Sequence, residues 1–437
     1  MEKRDDFFVK IAKILPARES WDHGRGVGKR VINRFVRLIR ERVDDPRQQG
    51  KLEYPLSEII VLAFFAVLAG ATTFSDIATC CAYKKKFFKK FLRLENGIPS
   101  HDTFNRVFSL IDMEQLEEAL VLFVSQAFEQ LRKALKIPPP KMKQICVDGK
   151  VSRGSGRYAE TAREIRDIQT LNVYCTEDGI CLHSRQIGKK TNEIPMAQAI
   201  LSTMDLRHTI ISFDAMNTQI ETVRTIVNRK GEYLGGLKRN HKTLYEECVV
   251  CFDDAYLEKV KDDGELSHYY MEKAHNQIEH MKFTVMRIST QQGSHFAAWP
   301  KLRSVVRYER KTENLISGKK SCEVRYYITS LIGKAEVLAR AIRTHWQIES
   351  FHWLLDVVFY DDANTTVDRR ANGNITLIKK MVLSLYRMMK PLENAKTISS
   401  IRRLYQWGYE DGIRRLLAGC DALHERSAPK VKNEGYC

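Results

Sequence analysis

Hydrophobic positions follow three regimes along this chain. Up to about residue 135 they recur at helical spacing, from 143 they come in short strand-like runs, and from 334 the helical spacing returns. Lys29-Arg30-Val31-Ile32-Asn33-Arg34-Phe35-Val36-Arg37-Leu38-Ile39-Arg40 interleaves apolar and cationic positions as an amphipathic helix does. Ile59 to Phe74 is a nearly continuous apolar run between Glu58 and Asp76. It falls short of the roughly 20 residues that cross a bilayer, and Gly70-Ala71-Thr72-Thr73 interrupts it, so a buried helix is expected. Ile98-Pro99-Ser100-His101-Asp102 is a loop that caps a helix beginning near Thr103. A long helix from Met113 to Leu135 stops at Ile137-Pro138-Pro139-Pro140, the clearest domain boundary in the sequence. The division is 1–140, helical and basic, and 141–437.

The second unit opens with a strand closed by Asp148. A hairpin follows, Ile168 to Tyr174 and Ile180 to Ile187, turning at Thr176-Glu177-Asp178-Gly179. Then come a helix over Ile194–Leu201, a strand Thr209–Phe213 ending at Asp214, a helix over Thr218–Arg229 and a strand Glu232–Lys238. Three sequential antiparallel strands followed by crossover units build a mixed sheet with helices on its faces. The fold class is therefore α+β in the ribonuclease H-like order, joined to a helical N-terminal domain. Polar strand-like segments make residues 241–333 a β-rich insertion. Residues 334–425 are helical, and the polar tail after Arg426 is expected to be disordered.

Composition narrows the function. Hydrophobic content of 43% and charged content of 29% are ordinary for a globular chain, but a net charge of +17 favours a polyanionic partner, nucleic acid first. Lys84-Lys85-Lys86-Phe87-Phe88-Lys89-Lys90-Phe91-Leu92-Arg93 is either a solvated face or a phosphate-facing surface. The ten cysteines are scattered without paired CxxC spacing, which argues against a structural zinc site. With no secretory signal after Met1-Glu2-Lys3-Arg4-Asp5-Asp6, they read as reduced thiols of a cytoplasmic protein.

Three acids stand in suggestive contexts. Gln144-Ile145-Cys146-Val147 delivers Asp148, and Gly149 lets a backbone or ligand come close; alone, such an Asp is as readily a turn residue. Asp214 closes a second strand. Glu349 lies in a periodic segment, Ala341 through Val358, where His345, Glu349, His352 and Asp356 fall at i, i+4, i+7 and i+11 and share one helix face. Trp346, Phe351, Trp353 and Leu354 are expected to anchor that helix by burial. Hard oxygen donors suit Mg²⁺ or Mn²⁺, and two ions about 4 Å apart serve phosphoryl transfer. Lys150, Arg153, Lys238 and Arg343 are candidate phosphate contacts, although each is also readable as a surface cation. His345 and His352 are either satisfied buried histidines or supports for a metal or phosphate. Trp299 is a packing residue or a platform for a flipped base. Glu349-x-x-His352 and Glu272-x-x-His275 have di-iron spacing, but the second lies in a polar stretch without a bundle pattern. A glycosidase with paired carboxylates matches +17 poorly.

Read in order, Asp148-Gly149-Lys150 with Arg153-Gly154-Ser155, Thr191-Asn192-Glu193-Ile194, Asp214-Ala215, Lys238 with Asn240, His345-Trp346-Gln347-Ile348-Glu349, His352-Trp353 and Leu355-Asp356-Val357 resemble the DDE transposases of bacterial insertion sequences. The resemblance includes Ile98-Pro99-Ser100-His101-Asp102-Thr103-Phe104, spans about 45–370, and is nearest the ISAs-type, or H-repeat-associated, branch. It implies a metal-binding catalytic triad of Asp148, Asp214 and Glu349, holding two Mg²⁺ or Mn²⁺ ions for endonucleolytic cleavage and strand transfer. It further implies DNA contacts from Lys150, Arg153, Lys238, Asn240, Arg343, His345 and His352. The partners would be double-stranded terminal inverted repeats and target DNA, met by a homodimer at the nucleoid. The broader signature places Tyr, Arg and Lys where this chain has Ile342, His345 and Asp356; the branch accepts the His and the Asp. Where the branch usually has His-Gly-Arg this chain has His275-Asn276-Gln277, and Met281 replaces a further arginine. A DNA-binding derivative that has lost catalysis is the alternative.

Overall fold

The computed structural model describes residues 27–416, except 49, 51, 135, 157–166, 189–191, 275, 290–293 and 414–415. The tail, Thr191 and His275 lie outside the described residues. The chain starts with helices α1 (Val27–Arg42), α2 (Leu56–Leu68), α3 (Phe74–Tyr83), α4 (Lys85–Phe88), α5 (His101–Leu110) and α6 (Met113–Ala134). Every residue of α2 is buried, as a helix apolar on all sides must be. α1 turns Val31, Ile32, Phe35, Leu38 and Ile39 inward, and Phe35 stacks on Phe123 of α6 at 4.2 Å. Ser100 caps α5 by accepting from Thr103 N at 3.2 Å. In the lysine-rich run Phe87 and Phe88 are buried while Lys85, Lys86, Lys89 and Lys90 stand outward.

After the proline run come β1 (Lys143–Ser152), β2 (Ile168–Cys175), β3 (Ile180–Gln186), α7 (Glu193–Thr203), β4 (Thr209–Phe213), α8 (Ile220–Asn228) and β5 (Glu232–Leu237). β1 and β2 pair antiparallel, as do β2 and β3. β4 joins the other side of β1 in parallel, and β5 joins β4 in parallel. Residues 241–333 contribute α9 (Lys242–Cys251), α10 (Asp254–Lys259), β6 (Ser267–Ala274), β7 (Gln277–Arg287), β8 (Ser304–Asn314) and β9 (Lys320–Thr329). These strands continue the same sheet, because β9 pairs antiparallel with β5. The result is one nine-stranded mixed sheet in the order β3-β2-β1-β4-β5-β9-β8-β7-β6.

The chain ends in α11 (Ala335–His345), α12 (Gln347–Phe359), α13 (Arg369–Leu392) and α14 (Ile398–Trp407). One face of the sheet packs on α7, α8 and α9, burying Ile145, Val147, Ile211, Val223 and Leu244. The other meets a core shared by the N-terminal helices and by α12, α13 and α14, from Phe35 and Phe64 to Phe351, Met381 and Tyr405. Cys146, Tyr174, Ile180 and Cys181 are the sheet's buried share of that core.

Candidate active site

Strand alternation decides which β1 residues face chemistry. Ile145 and Val147 go into the core against α7 and α8, so Cys146, Asp148 and Lys150 face α12 and α13. The strand does not close at Asp148, as the sequence suggested; it runs on to Ser152, held by antiparallel pairing that matches Asp148 with Asn172 and Ser152 with Ile168. On the other side Val147 is in register with Phe213 of β4, so Asp148, inside β1, stands beside Asp214, the first residue past β4.

The helical segment expected to run unbroken through Glu349 is two helices. α11 ends at His345, and Trp346 tightens the last turn, its N–H reaching Arg343 O at 3.3 Å. Trp346 packs against Tyr308 of the insertion at 5.7 Å between ring centres. α12 restarts at Gln347, which puts Glu349 in its first turn, where the helix dipole favours negative charge. Phe351 is buried as expected, but Trp353 is 61% exposed and so does not anchor the helix. With Val357 and Tyr360, also exposed, it forms an apolar strip on the same outward face as Glu349.

A fourth acid joins the three. Glu193 begins α7, just after the capping residue Asn192, and lies against Gly149. A Cβ on Gly149 would sit 2.2 Å from Glu193 Oε1, so only glycine admits the carboxylate there. Asn217 ties the acids together, donating from Nδ2 to Glu193 Oε2 at 3.2 Å and to Asp214 Oδ1 at 3.1 Å. Its own Oδ1 is buried without a hydrogen-bond partner. Asp148 is pushed up to about 7, by burial first and then by the charges of Asp214, Glu193 and Glu349. Burial and Asp214 likewise raise Glu193, against the Asn217 hydrogen bond. Among the described residues no lysine or arginine is in salt-bridge range of these four carboxylates, and no three ligand-type side chains stand close enough to hold an ion as they are.

Both histidines lie at the acidic site. His352 places Nε2 3.0 Å from Asn172 Nδ2 and Nδ1 3.7 Å from Asp148 Oδ2. His345 Nδ1 is 3.0 Å from Ser212 Oγ on β4, and Ser212 also accepts from Gln144 at 3.0 Å. Burial holds His345 down to about 4 and His352 down to about 3.

The cations divide. Lys150 is not a surface group: it is 6% exposed and meets Asp356 at 2.6 Å, Asp362 at 3.1 Å and Asp361 at 3.8 Å. That occupation leaves it no donor directed to a phosphate outside. Burial pulls Lys150 down, but Asp361, Asp356 and Asp362 outweigh it and hold it above its ordinary value. Arg343 reaches Glu272 on β6 at 2.6 Å and lies over the Tyr270 ring, which fastens α11 to the insertion. Arg153 and Lys238 are exposed near the acids' strands, and Asn240 donates to Ala215 O at 2.8 Å, bracing the turn after Asp214. Trp299 is 4% exposed and packs edge-on to His241, so it offers no platform to a base.

The sheet thus brings four carboxylates together on a chain of net charge +17. Residues 139–385 match the family model described as "Transposase DDE domain", and residues 40–124 match a model described as DDE_Tnp_1-associated. The chain belongs to the DDE transposase family. Relatives include YncI of Escherichia coli O157:H7, 29% identical over 395 residues covering 90% of this chain and 96% of that one. Another is the H repeat-associated protein YhhI of Escherichia coli K12, 29% identical over 324 residues covering 73% and 82%. Among solved structures, a piggyBac transposase synaptic complex with hairpin DNA covers 97% of this chain and 83% of its own, at 12% identity and a TM-score of 0.35. At that score the likeness fixes no detail of the fold.

Proposed function

We propose that this chain is a metal-dependent DNA transposase whose catalytic domain, residues 141–437, has the ribonuclease H-like arrangement. Asp148, Asp214 and Glu349 hold two divalent cations, Mg²⁺ or Mn²⁺, and Glu193 completes the acidic surround. The observation that carries this is the crowding of unpaired carboxylates on Asp148, whose proton is held up to about 7 by burial and by Asp214, Glu193 and Glu349. Like charges kept together without a cationic side chain are a donor set that a hard divalent ion relieves. The partnerless Asn217 Oδ1 beside them is a further oxygen. Binding requires the side chains to close inward from their positions here.

When bound, such ions activate an attacking oxygen and stabilise a leaving one in phosphoryl transfer. The chain's own residues do the rest. Asp148 and Asp214 are fixed by paired strands, Glu349 by a helix start, and Asn217 aligns Asp214 with Glu193. Arg153, Lys238 and the exposed lysines from Lys85 to Lys90 supply charge for double-stranded DNA, and the 1–140 helices form the basic DNA-binding portion. Trp353, Val357 and Tyr360 offer sugars or bases an apolar surface beside Glu349. His345, His352, Asn240 and Arg343 serve by bracing the site. Water attacks the phosphodiester at the element end, forming one P–O bond and breaking the bond to the element's 3′-oxygen, which leaves as a hydroxyl. That hydroxyl then attacks a target phosphodiester and displaces a target 3′-hydroxyl, on a homodimer that pairs two ends.

The test uses purified full-length protein, Mg²⁺ and labelled duplexes carrying the inverted repeats that flank its gene. Cleavage at the repeat ends is expected, reduced by about 10³-fold in Asp148→Ala and in Glu349→Ala, since a metal-held carboxylate is worth several kcal/mol in the transition state. Cleavage indifferent to both changes would sink the proposal. Salt-sensitive end binding with no Mg²⁺-dependent cleavage would instead mark a DNA binder that has lost its chemistry.

A further inference from the structure

Polar support for the acidic site runs inward to a lysine with no access to solvent. Lys380 is fully buried on α13, among Ile375, Leu377, Ile378, Met381, Val382 and Leu383. Its Nζ donates to Asn172 Oδ1 at 2.6 Å and to Ser184 Oγ at 2.5 Å. Cys181 Sγ also points at Asn172 Oδ1, at 3.8 Å. Asn172 is itself fully buried and is the cross-strand partner of Asp148.

Donor and acceptor chemistry settles the rest of the chain. With Lys380 as an ammonium, which has three hydrogens and no lone pair, the amide cannot be reversed, because Nδ2 would then bring its hydrogens against the lysine's own. Nδ2 is therefore the atom 3.0 Å from His352 Nε2. That nitrogen must accept, so the ring proton sits on Nδ1, which faces Asp148 Oδ2 at 3.7 Å. We propose that Lys380 and Asn172 are positioning residues that lock His352 as its Nδ1–H tautomer, with the N–H turned on Asp148. So held, His352 has no lone pair free to compete for a cation, and its N–H faces Asp148 Oδ2 from 3.7 Å, one short closure from a hydrogen bond that would orient the carboxylate. The role toward Asp148 rests on the metal-binding function proposed above; the tautomer does not.

The experiment is long-range ¹H–¹⁵N correlation on full-length, metal-free protein with labelled histidine, the His352 signals being assigned by their loss in His352→Gln. The expected parent spectrum is Nδ1–H. In Asn172→Asp the side chain can only accept, so His352 should switch to Nε2–H, and Mg²⁺-dependent cleavage or Mg²⁺ affinity should fall about 10- to 100-fold, the usual cost of losing a support to a ligand. If Asn172→Asp does not fold, Lys380→Met removes the donor that orients the amide, and the single tautomer should be lost. An Nε2–H parent overturns the relay on its own, whatever the variants do. So does a His352 tautomer unchanged in whichever variant folds. An Nδ1–H parent that switches as expected but shows no cleavage leaves the relay standing and defeats the transposase chemistry instead.

Discussion

Asp148 keeps its proton up to about 7 because it is buried and faces Asp214, Glu193 and Glu349. An acid whose folded pKa is raised stabilises the fold below its unfolded value, and the contribution is lost as pH rises through the folded one. The window here is from about 4 to about 7. Metal-free Asp148→Asn should therefore exceed the parent by roughly 2–4 kcal/mol at pH 8 and by little at pH 4, as read by urea melts. His345 and His352 act in the opposite sense: held neutral by burial, they lose stability as pH falls below the ordinary histidine value toward about 4 and 3. Comparing the two proteins at each pH cancels that term. An equal difference at both pH values would show that Asp148 is not raised. Gly149 gives a second handle on the same group. Gly149→Ala pushes a methyl into Glu193 Oε1, the free end of a flexible side chain, so stability should fall by less than about 1 kcal/mol. The Asp148 pKa, followed by carboxyl NMR, should drop as Glu193 moves off; an unmoved pKa would show that Glu193 does not act on it.

At the scale of elements, the end of α12 and the turn after it are bound to β1 by one buried cation. Lys150 stands among Asp356, Asp361 and Asp362, and Asp361 is 1% exposed. Lys150→Met leaves those acids without it, and a broken buried pair costs about 3–5 kcal/mol. The variant should melt well below the parent at pH 7, whereas Lys238→Ala should melt with it; matching melts for all three would mean the cluster bears no structure. This element was the hardest to read from sequence. Period-2 and period-3.6 patterns disclosed β1 to β5 and the helices around them, because those patterns report local burial. Partners some 200 residues away leave no such trace, so Lys150 looked like a surface cation. Trp353 looked buried because aromatic residues usually are, yet its position one turn beyond Glu349 sets it outward. The break at Trp346 carries neither Gly nor Pro to announce it. Glu193 stood directly after a capping Asn and inside a motif of the family resemblance, but its place beside Asp148 depends on Gly149 making room. Lys379 and Lys380, set inside a buried helix, were a visible anomaly, but their partners, Asp361 after α12 and Asn172 on β2, were not.

For the whole molecule, the proline run marks where helices give way to sheet, while the hydrophobic core passes across it. Phe35, Phe64, Phe108 and Phe128 belong to the same cluster as Phe351, Ile378, Met381 and Tyr405. Tyr386 of α13 donates to Leu68 O at 2.6 Å, and Asn374 donates to Phe108 O at 2.8 Å and Ile111 O at 3.0 Å. α13 therefore lies between the sheet and the N-terminal helices, and it also carries Lys380 toward the acidic site. Removing residues 1–140 would bare an apolar face of α13 and leave those donors unpaired, a loss far larger than the marginal stability of a domain. A fragment of residues 141–437 should be insoluble, or soluble only as a loosened state that binds a hydrophobic dye and lacks near-ultraviolet circular dichroism. Adding residues 1–140 in trans should recover the ordered spectrum if the two portions fold by closing one core. A fragment that folds cooperatively alone, with the parent's melting temperature, would show that the N-terminal helices are an appendage. It would also free the basic face to act on DNA independently of the acidic site.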